Sequence, residues 1–212
     1  MSQELTKPDY WEGAKQHLST QCPVMKRIIA RYKGETLSAR GDGFYTLARS
    51  IVGQQISVKA ADSVWGRFAQ LSVDSGQLSV NPAFVTSATD DALRSCGLSA
   101  QKVKYLRAVA EYFVDPPDFT ALEDADLLAS LTSIKGVGVW TAEMFMIFHL
   151  LKPDVFPVDD IGLLKAIGVH YGDGENKVDK PTALEVAEPW QPYRTVATWY
   201  LWRSLDPVVV EY

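Results

Sequence analysis

Soft metal ligands are scarce in this sequence, which has only two cysteines and three histidines, and neither kind is grouped. Cys22 and Cys96 stand far apart with no CxxC pair, which excludes a zinc knuckle or a four-cysteine iron–sulfur cluster by counting. As a disulfide the pair would be unusual in a reducing compartment. His17, His149 and His170 form no HExxH and share no helix, so metal catalysis has no footing. Long apolar runs are missing as well. None approaches the ~18 to 20 residues of a membrane span, and the polar start "MSQELTKPDYWEG" lacks the apolar core of a signal peptide. The cytoplasm is therefore the expected address. Positive charge is also short: 21 Lys+Arg against 26 Asp+Glu give a net charge of −5 and a pI near 5.2. That is the wrong sign for coating nucleic acid through bulk charge, so any phosphate contact must be local.

What the chain does have is apolar content and helical spacing. With 47% hydrophobic and 22% charged residues in 212, it can bury a full core, as one large domain or two closely joined lobes. In "FYTLARSI", Phe44, Leu47, Ala48 and Ile51 fall at i, i+3, i+4 and i+7. Ser57 caps a second helix with Ala61, Val64, Trp65 and Phe68 on one face, and the two helices meet at Gly53 to Ile56. Asn81 before Pro82 reads as an N-cap with proline at the first helical position. "TDDALRSCG" ends at Gly97, and Ser99 opens a helix burying Val103, Leu106, Ala110 and Phe113 that Pro116 and Pro117 stop. Further helices are expected at about Ala125 to Ser133, Ile161 to Ile167, Thr182 to Ala187 and Tyr193 to Leu205. No strand, repeat or low-complexity tract competes with this all-α reading.

The stretch "LTSIKGVGVWTAEMF", residues 131–145, sets two glycines either side of one valine between two helices. Lys135 to Gly138 is then a four-residue hairpin in which glycine permits positive φ and close approach of another group. The second helix starts there, and its unpaired N–H groups and positive dipole end make an anion site without a basic side chain. An acidic protein can hold a DNA strand this way, with backbone amides as donors and Lys135 assisting. On spacing alone, an ordinary tight αα-turn is the other reading. A dinucleotide loop is a poorer one, since "GVGVWT" lacks the third glycine and follows a helix. Downstream, Asp159 and Asp160 stand immediately before the periodic run Ile161, Leu163, Leu164, Ile167, which makes one of them an N-cap.

Here the residues carry a resemblance. "IKGVGVWTAEMF" followed by "DVFPVDDIGLLKAIG" resembles the helix-hairpin-helix, Gly/Pro-rich, aspartate signature of the DNA base-excision glycosylases. Together with "VGQQIS" and "WQPYRTVATWYLW", it is most similar to the DNA-3-methyladenine glycosylase II group, from about Phe44 to Leu205. The resemblance implies a catalytic carboxylate on Asp160, with Asp159 as the alternative one residue away. Such a carboxylate stabilises the oxocarbenium-like sugar formed when a purine leaves, and orients the attacking water. Bifunctional members carry a nucleophilic lysine where Trp140 stands here. An indole forms no Schiff base, so a monofunctional enzyme without lyase activity is implied. Trp140, Met144, Ile161 and Trp202 match the base pocket, in which an aromatic face can stack on a cationic base. Lys135, Gly136, Val137, Gly138, Gln55 and Arg194 match DNA contacts. Gln55 stands at the tip of the turn that fills the gap left by an extruded base, where the best-known members carry an apolar residue. Exposed structural roles remain open for Gln55 and Arg194. The carbonyls of Thr132, Ile134 and Val137 match a structural monovalent cation site, and no cofactor is needed for catalysis. The basic residues Lys59, Lys102, Lys104 and Arg107 either support the strand or form a solvated helix face.

The expected architecture is all-α, with two helical lobes, a helix-hairpin-helix motif and an active-site cleft between the lobes. The middle lobe spans 36–141 and carries the hairpin at 132–140. Residues 1–35 and 142–212 form the second, which carries the aspartate. The expected activity is hydrolysis of the N-glycosidic bond of alkylated purines in duplex DNA by base flipping, leaving an abasic site. The alternatives are a glycosylase for deaminated or oxidised bases and a non-catalytic helix-hairpin-helix DNA-binding module. Double-stranded DNA is the expected partner, met by a monomer away from any membrane, in the cytoplasm or, in a eukaryote, the nucleus.

Overall fold

The computed structural model describes residues 7–39, 42–76, 79–174 and 176–205, and these are helical with no extended strand among them. None of their helices is long and apolar enough to cross a membrane. The chain divides into two compact units. One holds the described residues before 42 and after 145; the other spans 42–145.

The first unit begins with α1 (Trp11–Gln21) and α2 (Pro23–Arg31). The second contains α3 (Gly43–Gly53), α4 (Val58–Asp74), α5 (Pro82–Ser87), α6 (Asp90–Ser95), α7 (Ala100–Tyr112), α8 (Asp124–Thr132) and most of α9 (Val139–Phe148). Phe148, at the end of α9, belongs with α10 (Ile161–Tyr171), α11 (Lys180–Ala187) and α12 (Arg194–Leu205) in the first unit.

Capping chemistry sets the helix starts. Ser57, Asn81 and Ser99 each accept the N–H three residues on, from Ala60, Phe84 and Lys102, satisfying a donor the helix cannot. Asp179 does the same for α11 through Thr182, which moves that helix start ahead of its expected position. At the other end of α6, Gly97 takes φ +95°, a conformation cheap only for glycine. The helix after Ser99 ends at Tyr112, before its prolines, with Phe113 as C-cap.

In the 42–145 unit, Phe44, Leu47, Ala48 and Ile51 of α3 are all buried, and α7 packs against α3, α5 and α6. Each such large apolar side chain contributes about 1.5 to 3 kcal/mol on burial. Trp65 lies in that core, 4.8 Å from the Tyr45 ring centroid. In the other unit α12 is central: it packs on α1, α2 and α10, and every residue from Thr195 to Leu201 is buried. A helix enclosed on all sides is a rigid mount for the residue that follows, Trp202.

Candidate active site

The loop ahead of α10 is stitched to the first turn of α12. Thr195 Oγ1 donates to the Lys152 carbonyl (2.6 Å) and accepts the Val155 N–H (2.9 Å), while its N–H donates to the Pro153 carbonyl (3.1 Å). Arg194 adds a two-pronged ion pair, Nε to Asp154 Oδ1 and Nη2 to Asp154 Oδ2, both at 2.8 Å. Its backbone N–H meets the same carboxylate at 3.1 Å. A planar guanidinium matched to a carboxylate is the strong form of this bond. The guanidinium of Arg194 is thus engaged within its own unit, where it ties down the loop that leads to the aspartates.

That loop ends in "PVDD". The Asp160 N–H donates to the Pro157 carbonyl (2.9 Å), closing a turn that delivers Asp160 to the head of α10. Its Oδ1 accepts two hydrogen bonds, from the Leu163 N–H at 2.6 Å and from the Trp202 indole Nε1–H at 2.8 Å. Trp202 is fixed in turn by stacking on Phe148, with centroids 6.0 Å apart and planes 10° from parallel. A Cβ on Gly162 would stand 3.1 Å from Asp160 Oδ1 and 3.7 Å from the indole, so glycine leaves the cluster its room. Asp159 points elsewhere. It is half exposed and ion-paired to Lys180, a surface pairing worth about 0 to 1 kcal/mol. The two acids of the doublet therefore differ sharply in setting.

Of the remaining expected pocket residues, Ile161 is 67% exposed beside Asp160, whereas Met144 is 1% exposed. Met144 opens the apolar run Met144 to Phe148, whose five side chains are all buried. Trp140, in the first turn of α9, is partly exposed.

The hairpin lies in the 42–145 unit. After α8, the Ile134 N–H donates to Leu131 (3.2 Å) and the Val137 N–H to Ile134 (3.0 Å). Gly136 then takes φ +94°, and a Cβ there would fall 2.2 Å from Cγ of Tyr105. The group that needs Gly136 bare from within is an aromatic ring. Gly138 differs, for its φ is not positive and a Cβ would meet nothing within 4 Å. Helical bonding resumes with the Ala142 N–H to the Gly138 carbonyl (3.0 Å), which places residues 139–141 in the first turn of α9, where a helix has no carbonyl of its own for its N–H groups. Lys135 and Gly138 are exposed; Val137 is buried.

The "GQQIS" turn also splits its two glutamines. Gln55 is exposed with φ +59°, a strained conformation for a non-glycine residue. Gln54, which the motif alone does not single out, turns inward: its Nε2 donates to the Gly136 carbonyl (3.0 Å) and to Thr141 Oγ1 (3.1 Å). Two of the basic residues noted above are likewise engaged internally. Lys102 Nζ donates to the Val52 carbonyl at the end of α3 (2.7 Å), and burial pushes its ammonium pKa down. Arg107 holds the carbonyls of Thr86 and Ala88 and the carboxylate of Asp90.

A helix pair joined by a glycine-bearing hairpin, followed by an aspartate capping the next long helix, defines a helix-hairpin-helix protein of the aspartate-bearing kind. The chain belongs to the HhH-GPD superfamily of base excision DNA repair proteins, whose family model matches residues 48–192. It is 32% identical over 200 residues to DNA-3-methyladenine glycosylase 1 of Schizosaccharomyces pombe, covering 90% of this chain and 86% of that one. The structure of Mag1, the S. pombe 3-methyladenine DNA glycosylase, in complex with abasic DNA superposes with a TM-score of 0.79 at 30% identity, covering 91% and 96% of the two chains. A DNA-3-methyladenine glycosidase from Bacillus halodurans gives a TM-score of 0.68 at 37% identity, covering 87% and 90%.

The bond from Trp202 to Asp160 carries a prediction of its own. Trp202→Phe keeps a ring against Phe148 and removes only the N–H donor, which loosens the carboxylate. Single-turnover base release should fall about 10-fold, the value of one charge-assisted hydrogen bond, with affinity for an abasic-analogue duplex unchanged. Equal losses in affinity and rate would assign Trp202 to folding or to the grip on the strand instead.

Proposed function

We propose that the protein is a DNA glycosylase that hydrolyses the N-glycosidic bond of alkylated purines of the 3-methyladenine type in duplex DNA. The observation that carries this reading is Asp160 at the head of α10, its Oδ1 held by the indole of Trp202 and the amide of Leu163, in a chain of the base-excision superfamily. Asp160 is the catalytic carboxylate in this reading. As the C1′–N bond breaks, its electron pair goes to the departing base and positive charge grows on the sugar. A fixed carboxylate stabilises that charge, and water adds to C1′ and gives its proton to solvent. An alkylated purine is already cationic and leaves as the neutral base, so little acid catalysis is required and no cofactor takes part.

Strand binding falls to the hairpin. Backbone amides at the start of α9, beside the open face of Gly138, receive a phosphate, and Lys135 adds charge. Gln55 is the residue that fills the gap left by the extruded base. Arg194 acts as a positioning residue through Asp154. The carbonyls of Thr132, Ile134 and Val137 are neutral oxygens with no carboxylate among them, a donor set suited to a weakly held monovalent cation that braces the turn.

Trp140 stands where bifunctional relatives carry lysine, so the product is an intact abasic site. The test is direct. Purified protein incubated with methylated duplex DNA should release methylated purine and leave the strand uncut, and borohydride should trap no covalent protein–DNA adduct. Release confined to oxidised or deaminated bases, or no release at all, would overturn the substrate assignment; an adduct would overturn the monofunctional one.

A further inference from the structure

In the 42–145 unit, the turn that carries Gln55 and the hairpin that carries Gly138 are far apart in sequence, yet one side chain joins them across 82 residues. The last backbone bonds of α3 end on Gln54, whose N–H donates to the carbonyls of Ser50 (3.1 Å) and Ile51 (3.3 Å). The chain then reverses through Gln55 in its left-handed conformation and re-enters helix at Ser57. Gln54 is thus anchored to α3 by its backbone, while its side-chain amide reaches the hairpin at Gly136 and the first turn of α9 at Thr141. Thr141 is 2% exposed and Gln54 itself is half-buried, so the amide is bonded at the edge of the interior. Both N–H bonds of one planar group are used, which fixes its orientation as well as its position. Lys102 secures the same end of α3 from α7.

We infer that Gln54 is a positioning residue coupling the hairpin's grip on phosphate to insertion of the Gln55 turn, so that strand binding and base extrusion occur as one event. This rests on the glycosylase reading given above. A phosphate drawn to the amides of α9 pulls on the segment that Gln54 spans, and the strained Gln55 backbone transmits the displacement because it has little freedom to absorb it.

The test uses Gln54→Met, which keeps length and removes both donors, with Gln55→Ala and the double variant. Extrusion is read from 2-aminopurine fluorescence beside a lesion in duplex DNA, binding from affinity for undamaged duplex, and catalysis from single-turnover release. Gln54→Met should bind undamaged duplex within about 2-fold of the parent while extruding and releasing base about 10-fold less well. Because it acts through Gln55, the double variant should lose no more than the worse single variant. Thr141→Val, which removes one acceptor and preserves shape, should shift extrusion in the same direction by about 3-fold, and serves if Gln54→Met does not fold. Parent-like extrusion in both Gln54→Met and Thr141→Val, multiplicative losses in the double variant, or equal losses of binding and extrusion would overturn the coupling. Absence of extrusion and release in the parent protein would instead strike the glycosylase reading, which keeps the two failures apart.

Discussion

Asp160→Asn should abolish base release and leave the fold and the grip on DNA intact. The substitution is unusually clean at this position. An asparagine oxygen can still accept the Leu163 N–H and the Trp202 indole N–H that Asp160 Oδ1 accepts now, and asparagine is as good an N-cap as aspartate. What disappears is the negative charge that the proposed mechanism sets against the developing oxocarbenium. Loss of a preorganised electrostatic group of this kind costs about 10²- to 10³-fold in rate, so single-turnover release of methylated purine should fall into that range or below it. Affinity for a duplex bearing an abasic analogue should be within a few-fold of the parent. Asp159→Asn is the matched control. It breaks only the exposed ion pair with Lys180, worth about 0 to 1 kcal/mol, and should turn over within about 2-fold of the parent. The assignment fails if Asp160→Asn retains a tenth of the parent rate, or if Asp159→Asn proves to be the inactive variant.

The contrast within this doublet shows where sequence reasoning runs out. Two acids before a periodic run announce a cap, and the cap is Asp160. Nothing in the local pattern tells which acid faces an indole 42 residues away or which faces Lys180, since both contacts depend on how distant segments pack. The helices divide in the same way. Those of the 42–145 unit were legible because their apolar residues form a stripe against polar neighbours, as Phe44, Leu47, Ala48 and Ile51 do in α3. In α12 seven consecutive residues are buried, so the helix expected at Tyr193 to Leu205 was legible in extent, and it forms over Arg194–Leu205, but no periodic contrast told which of its faces is covered. Near the N-terminus α1 buries just Trp11, Ala14 and Leu18 among exposed Glu and Gln, too sparse a stripe to read from sequence. The engagement of Arg194 by Asp154 and of Lys102 by the end of α3 was likewise hidden. A basic residue looks the same in sequence whether it meets a phosphate or a carbonyl.

The two hairpin glycines should separate stability from function. Gly136→Ala places a Cβ 2.2 Å from Cγ of Tyr105 at a φ of +94°, so the variant suffers a steric clash and a left-handed backbone that L-residues resist. Backbone strain costs about 1 to 3 kcal/mol and overpacking about the same again. For a chain of this size that lowers the melting temperature by roughly 10 °C, read by calorimetry or thermal denaturation. Gly138→Ala behaves oppositely, because its Cβ meets nothing within 4 Å and its φ is not positive. Its melting temperature should stay within about 1 °C of the parent. Yet the added methyl stands beside the first turn of α9, where the proposed strand binding brings a phosphate close, and duplex affinity should drop about 10-fold, the worth of one charge-assisted contact. The same glycine-valine-glycine thus holds two different settings: the first glycine faces an aromatic ring within the protein, and the second faces open space that the proposed reading gives to a phosphate. Parent-like DNA affinity in a correctly folded Gly138→Ala would remove the phosphate from this turn, and with it the means by which an acidic protein holds an acidic polymer.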